Sequence, residues 1–172
     1  MRIGFCTLLV FTLALAAAPA GAQDTGPAFY GQGILSLPMG DFGDLAKIGF
    51  GAGLGVSFAH SEMLHFRGEA GYVYYATEDF PGSDLSFSMI PITALVQYNL
   101  ENSPLYLLGG LGLAIGMTSV EFDDGTEADD TSSEFGIALG AGTDLTPQLF
   151  VEGRFNLISD TNHISAHLGY RF

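Results

Sequence analysis

Two short Arg/Glu pairs are the residues with the clearest capacity for chemistry: Arg67 and Glu69, then Glu152 and Arg154. One residue separates the charges in each pair, so on an extended strand both side chains point to one face. Arg171, Asp144, His65 and His167 extend the same set. Such groups could form a charged constriction for ions, or neutralise one another inside a filled interior. The segment His163-Ile164-Ser165 also places two reactive side chains on one face. A nucleophilic serine needs a base within hydrogen-bond reach and an acid to orient that base. The nearest acid, Asp160, could reach His163 only across a loop. A third cluster, EFDDGTEADDTSSE (121–134), could capture Ca²⁺ through its oxygens. It lacks the spacing of a calcium loop and reads instead as a solvated acidic connection. No catalytic, cofactor or metal site is assigned from these residues.

The composition limits what must position them. The chain has 172 residues, 48% hydrophobic and only 14% charged, with 24 Gly and no Trp. The mean hydropathy is +0.33. This excludes a disordered chain, which needs low hydrophobicity and high charge. So much glycine also argues against a helical bundle. A net charge of −14 leaves no basic face for nucleic acid. Residues 1–22 read as a secretory signal peptide: Arg2, an apolar run through Ala18, then Ala20-Gly21-Ala22 before the cleavage point. The single cysteine, Cys6, leaves with it. The mature domain is expected to be 23–172, without disulfides.

No mature segment has the ~18 consecutive apolar residues of a helical span, and alternation dominates. Strands are predicted near 28–37, 48–59, 63–76, 86–100, 104–121, 133–145, 148–158 and 163–172. The first alternates poorly, and the fourth carries Pro91, which could weaken the ladder or mark a bulge. Long connections (38–47, 77–85, 123–132) alternate with short ones (60–63, 101–103, 146–148), and 159–162 falls on the long side. With eight strands both termini lie on the short-turn side. This is the plan of an outer-membrane barrel with short periplasmic turns.

Alternation alone also fits a soluble periplasmic barrel with an apolar interior that binds a ligand. A soluble surface would be roughly 25–35% charged. Here the polar faces are mostly Gly, Ala, Ser and Thr, which suit a narrow lumen better than water. Aromatics gather at both ends of the apolar faces: Phe50, Tyr72, Tyr74, Phe135 and Phe155 toward the outer rim, and Phe58, Phe66, Tyr98, Tyr170 and Phe172 toward the periplasmic rim. Two such belts are expected at the lipid headgroups. Strands three and seven lie opposite in an eight-strand ring, so Arg67, Glu69, Glu152 and Arg154 should meet across the lumen. Inward Gly51, Gly53, Gly55, Gly136, Gly140 and Gly142 would leave room for the arginines. Eight strands leave an interior just wide enough for side chains, which favours a plug over a pore.

The final strand, HISAHLGYRF, has Ala166, Leu168, Tyr170 and Phe172 at alternate positions and follows a chain with an export leader. It resembles the eight-stranded outer-membrane proteins of the OmpX/OmpA type. The segment LPMGDFGDLAKIGFGAGLG (37–55) is similar to the first loop and second strand of such domains. The resemblance implies an all-β, antiparallel, up-and-down transmembrane barrel that inserts as a monomer. It implies that the alternating C-terminal residues are read by the barrel assembly machinery, with lipid and lipopolysaccharide as surroundings. With Phe172 as the last residue, the peptidoglycan-binding domain carried by larger relatives is expected to be absent. The His163/Ser165 pair invites comparison with the outer-membrane lipid A deacylases, whose His-x-Ser pair cleaves an ester. Here the pair would face the lumen while lipid lies outside, and no acid follows on a later strand. The expected role is structural or interactive and not enzymatic, with a narrow pore, a lipid A hydrolase or a soluble barrel as alternatives.

Overall fold

A computed structural model describes residues 26–77, 83–122, 127–159 and 161–172. The expected leader, parts of two long connections and Asp160 lie outside the described residues. Eight antiparallel strands close into one barrel in chain order: β1 (Ala28–Pro38), β2 (Ala46–Ala59), β3 (Leu64–Thr77), β4 (Ser83–Asn99), β5 (Leu105–Phe122), β6 (Glu127–Asp144), β7 (Leu149–Ile158) and β8 (His163–Arg171). β1 closes the ring on β8, from Tyr30 opposite Arg171 to Pro38 opposite His163. Closure gives every strand two partners in the barrel wall, which lipid demands because no water is there to satisfy a free edge. Among the described residues no helix is long and apolar enough to cross a membrane.

The side-chain faces settle the orientation of the wall. Phe29, Leu35, Phe58, Phe66, Tyr98, Leu107, Leu111, Ile137, Leu168 and Tyr170 are exposed on the outside. Arg67, Glu69, Gln97, Glu152, Arg154, Ser165 and His167 are buried inside. An apolar exterior around a polar core is the inverse of a water-soluble barrel, so the soluble alternative is overturned. β1 alternates structurally although its hydropathy does not: Tyr30, Gln32, Ile34 and Ser36 point in, while small Gly31 and Gly33 share the outer face with Phe29, Leu35 and Leu37. Pro91 makes no bulge. The β3–β4 register is the same on both sides of it, and only the pairs between Ala70/Ile92 and Val73/Met89 are missing. Proline has no N–H to give the ladder.

The long connections are shorter than the sequence suggests. β5 and β6 each run 18 residues and pair up to Glu121 opposite Glu127. Most of the expected acidic loop 123–132 is therefore strand, not loop. A crossing needs only ~9–11 residues, so roughly eight residues of β5 and β6 stand beyond the lipid-spanning part. In the first connection, Gly40 takes φ 62, a conformation open to glycine, and the five-residue helix α1 (Asp41–Leu45) follows. It folds Phe42 into the barrel mouth. The Phe42 ring packs edge-on against Tyr75 at 5.1 Å and Phe87 at 5.2 Å. Ile34, Val73, Met89 and Ile158 complete this apolar stopper.

Candidate functional site: the sealed lumen

Below the stopper the lumen becomes ionic. β3 carries Arg67 and Glu69 inward, and β7, directly across the ring, carries Glu152 and Arg154. The long side chains meet in the middle. Arg67 Nη1 donates to Glu152 Oε1 at 2.5 Å and Nη2 donates to Glu69 Oε1 at 2.7 Å. Arg154 Nη1 and Nη2 donate to Glu69 Oε2 and Oε1 at 2.6 and 2.9 Å. Arg154 also donates to Glu152 Oε2, through Nε at 2.9 Å and through Nη2. Each arginine thus bonds both glutamates, and the square carries no net charge. None of the four is more than 8% exposed.

Buried charges persist only when their remaining donors and acceptors are also engaged. The neighbours do this. Tyr30 donates to Glu69 Oε1 at 2.5 Å, Tyr106 to Glu152 Oε1 at 2.8 Å, and Gln32 to Glu69 Oε2 at 3.1 Å. Gln97 accepts from Arg67 at 3.1 Å. Among the described residues no buried side-chain nitrogen or oxygen lacks a hydrogen-bond partner. Sequence reading did not identify Tyr30, Gln32, Gln97 or Tyr106 as partners. Inward parity counted from β3 and β8 could have marked them, but β1's inverted hydropathy and Pro91 in β4 hid the pattern.

Two of the six expected glycines make room for aromatics and the others for neighbouring backbone and side chains. A Cβ on Gly55 would lie 2.2 Å from the Tyr30 ring, and one on Gly142 would lie 2.5 Å from Tyr106. Gly140 alone of the six expected glycines faces an arginine, with Arg154 Cγ at 3.0 Å. Backbone carbonyls also lie close to Gly140 and Gly136, both at 2.5 Å, to Gly51 at 2.0 Å and to Gly53 at 3.0 Å, and Gly136 meets Ile158 Cγ1 at 2.5 Å as well. The reason is position: tyrosines from adjacent strands lie flat against the wall, whereas the arginines reach inward to the axis.

Asp144 and Arg171 do not join the square. They pair with each other at 2.8 Å at the barrel end that holds the termini, where both are partly exposed. Arg171 stacks over Phe150 at 4.7 Å, and Arg67 approaches the same ring at 5.4 Å. These residues, with His65 and Asn99, border a cavity of about 240 Å³. On the other side of the square lies a space of only about 30 Å³, lined by Gln32, Met89, Pro91 and His167 among others. The charged square separates the two.

Ser165 has a histidine partner, but it is not His163. Ser165 Oγ lies 2.8 Å from His167 Nε2, and Asn156 donates to the same hydroxyl at 2.9 Å. His167 Nδ1 meets the Gln32 side-chain oxygen at 3.2 Å, so an amide stands where a hydrolase would place an acid. His163 turns to the Thr161 carbonyl. On an extended strand residues two apart share a face, so Ser165 has a candidate on each side, and only packing chooses. Ser165 and His167 are buried inside the wall and do not face lipid.

Ala166, Leu168, Tyr170 and Phe172 lie on the outer face of β8 and its end. Leu168, Tyr170 and Phe172 are exposed, and the last two rings pack edge-on at 5.8 Å.

A closed eight-strand ring, an apolar outer face with aromatics near both rims and a filled polar lumen define an integral outer-membrane barrel. The chain belongs to the family of outer membrane protein beta-barrel domains, which matches residues 7–172. No curated protein matches it by sequence. Among solved structures it is similar to Ail, the attachment invasion locus protein of Yersinia pestis, with 18% identity and a TM-score of 0.68 over 87% of this chain and 100% of that one. A second structure of Ail is a complex with the heparin analogue sucrose octasulfate. It is also similar to Neisserial surface protein A, with 18% identity and a TM-score of 0.60 over 86% and 98% of the two chains. The N-terminal barrel of Pseudomonas aeruginosa OprF gives 10% identity and a TM-score of 0.61 over 87% and 100%. At these identities the likeness is one of fold. The protein resides in the outer membrane; in barrels of this plan the short turns face the periplasm.

Proposed function

We propose that this is a sealed barrel whose work is done at the cell surface: it anchors a rigid, acidic, strand-built projection in the outer membrane. The observation that carries this reading is the neutral Arg67/Glu69/Glu152/Arg154 square, which stands between the periplasmic cavity and the outer stopper. A passage for ions would need water and unpaired charge along that path. Here every charge is engaged by a neighbour, and Phe42 adds an apolar seal above.

The sequence places thirteen of the 19 carboxylates in the outward connections and strand ends, at 41, 44, 78, 79, 84, 121–134 and 160, with Lys47 as the single cation there. A sulfated sugar of the kind bound by Ail would be repelled by this end, so the partners that suit this chain are cationic. Lipopolysaccharide phosphates would approach it through divalent cations. The alternating residues Ala166, Leu168, Tyr170 and Phe172 serve in this reading as the signal to the barrel assembly machinery. Residues 1–22 serve as the export leader, and the barrel acts as a monomer. Ser165 serves as a lumen hydrogen-bonding group and not as a nucleophile.

The test is a planar bilayer containing the purified barrel, run beside incubation with lipopolysaccharide. The expected result is a silent bilayer and no release of acyl chains. Discrete openings that disappear on altering Arg67 or Arg154 would replace this reading with a pore. Acyl release lost in Ser165→Ala would replace it with a hydrolase.

A further inference from the structure

The larger of the two lumen cavities lies at the short-turn end of the barrel and plays no part in the seal. Its volume is about 240 Å³. A cavity of roughly 150 Å³ already holds a benzene ring, so a small metabolite fits here. Arg67 of the charged square lies at its floor, already engaged through all three guanidinium nitrogens with Tyr30, Gln97, Glu152 and Glu69. Nearer the mouth the wall carries one guanidinium, Arg171, and one carboxylate, Asp144, among the polar side chains of Ser57, His65 and Asn99.

Arg171 and Asp144 use only part of their bonding capacity on each other. A guanidinium has five N–H groups. Arg171 donates from Nη2 to Asp144 Oδ1 at 2.8 Å and makes a long contact from Nη1 to the Pro147 carbonyl at 3.4 Å. Asp144 Oδ2 takes part in none of the described bonds. The two side chains are 22% and 41% exposed, so a solute at the mouth can reach them. Arg171 is nevertheless held in place. Its guanidinium lies over the Phe150 ring at 4.7 Å, and that ring is fixed edge-on against Tyr30 at 5.5 Å. An anion alone would meet the Asp144 carboxylate beside the guanidinium. A cation alone would meet Arg171 beside the carboxylate. Like charge at that range disfavours both, whereas a zwitterion brings an opposite charge to each group.

We propose that this cavity binds a small zwitterion of the α-amino-acid class. The ligand's carboxylate would take the remaining N–H groups of Arg171, and its ammonium would donate to Asp144 Oδ2. An α-amino acid carries both charges on one carbon, which matches two recognition groups already in contact. Ser57, His65 and Asn99 would offer hydrogen bonds to the ligand's side chain. The inference goes beyond the surface-display reading, because the cavity lies at the opposite end of the barrel and neither role depends on the other.

The test uses the whole barrel in nanodiscs with L-glutamine as the probe, read by saturation-transfer NMR at rising ligand concentration. The transfer should saturate. N-acetylglutamine lacks the ammonium and glutaminamide lacks the carboxylate. Each should bind about tenfold more weakly or worse, the loss expected when a hydrogen bond to a charged group is removed. Asp144→Asn should weaken glutamine by a similar factor and erase its advantage over N-acetylglutamine. Arg171→Gln should erase its advantage over the amide. Unboiled gel mobility checks that both variants fold, and the ligand analogues test the site without any substitution. Equal binding of all three ligands would mean unspecific association and overturn the site. Glutamine binding unchanged in both variants would place it elsewhere and overturn it too. No saturable transfer would show that the cavity holds water only.

Discussion

Arg154→Met should be among the most damaging single changes in the barrel wall. Arg67 holds the Oε1 oxygens of both glutamates, whereas Arg154 holds both Oε2 oxygens. Without Arg154, Glu69 Oε2 keeps only Gln32 at 3.1 Å, and Glu152 Oε2 keeps none of the bonds described above. The lumen is left with two buried carboxylates and one guanidinium. Breaking a buried ion pair from one side costs about 3–5 kcal/mol, because the orphaned charge stays buried. That corresponds to roughly two to three and a half decades in the folding equilibrium. Glu69→Gln/Arg154→Met leaves the neutral Arg67–Glu152 pair at 2.5 Å. Its cost should therefore fall below the sum of the single changes by about 0.5–3 kcal/mol, the range for residues in one network. Urea unfolding in lipid vesicles, read by unboiled gel mobility, measures both; with no Trp in the chain, indole fluorescence cannot serve. If Arg154→Met costs under about 1 kcal/mol and the cycle shows no coupling, the square is screened by water as a surface pair would be, and the dry seal is refuted.

The same assay checks four further changes. Asp144→Asn breaks the partly exposed Arg171 pair at the periplasmic mouth and should cost less than about 1 kcal/mol. Gly55→Ala would push a methyl to within 2.2 Å of the Tyr30 ring and should cost about 1–3 kcal/mol, whereas Gly153→Ala, with nothing within 4 Å, should stay within about 0.5 kcal/mol of the parent. Phe42→Ala empties the outer stopper and should cost about 3–5 kcal/mol if the ring packs as a core side chain; an unchanged midpoint would show that α1 does not seal the mouth.

Much of this architecture is written in period and parity. Residues two apart share a face of a strand, so the outward row Ala166, Leu168, Tyr170, Phe172 and the inward row Ser165, His167, Arg171 could be separated by counting. The same counting, with eight strands in a ring, places Arg67 and Glu69 across from Glu152 and Arg154. Glycine-rich inward faces with few charges revealed that the polar side looks into a narrow lumen, because such a face makes a poor water surface. Local signals failed where a strand keeps its direction but loses its hydropathy contrast, as in β1, and where acidic residues look like loop while β5 offers them a continuous partner. Alternation gives a side chain its face, but not its reach or its neighbour. Only the closed ring decided that Arg154 bonds both glutamates while Arg171 stays with Asp144, and that Tyr30 and Tyr106, not the arginines, take the space over Gly55 and Gly142. Only the ring paired Ser165 with His167 and not His163, and ended β7 at Ile158 while β5 and β6 ran on together. Those choices depend on distances between strands far apart in sequence, which closure fixes and no local pattern records.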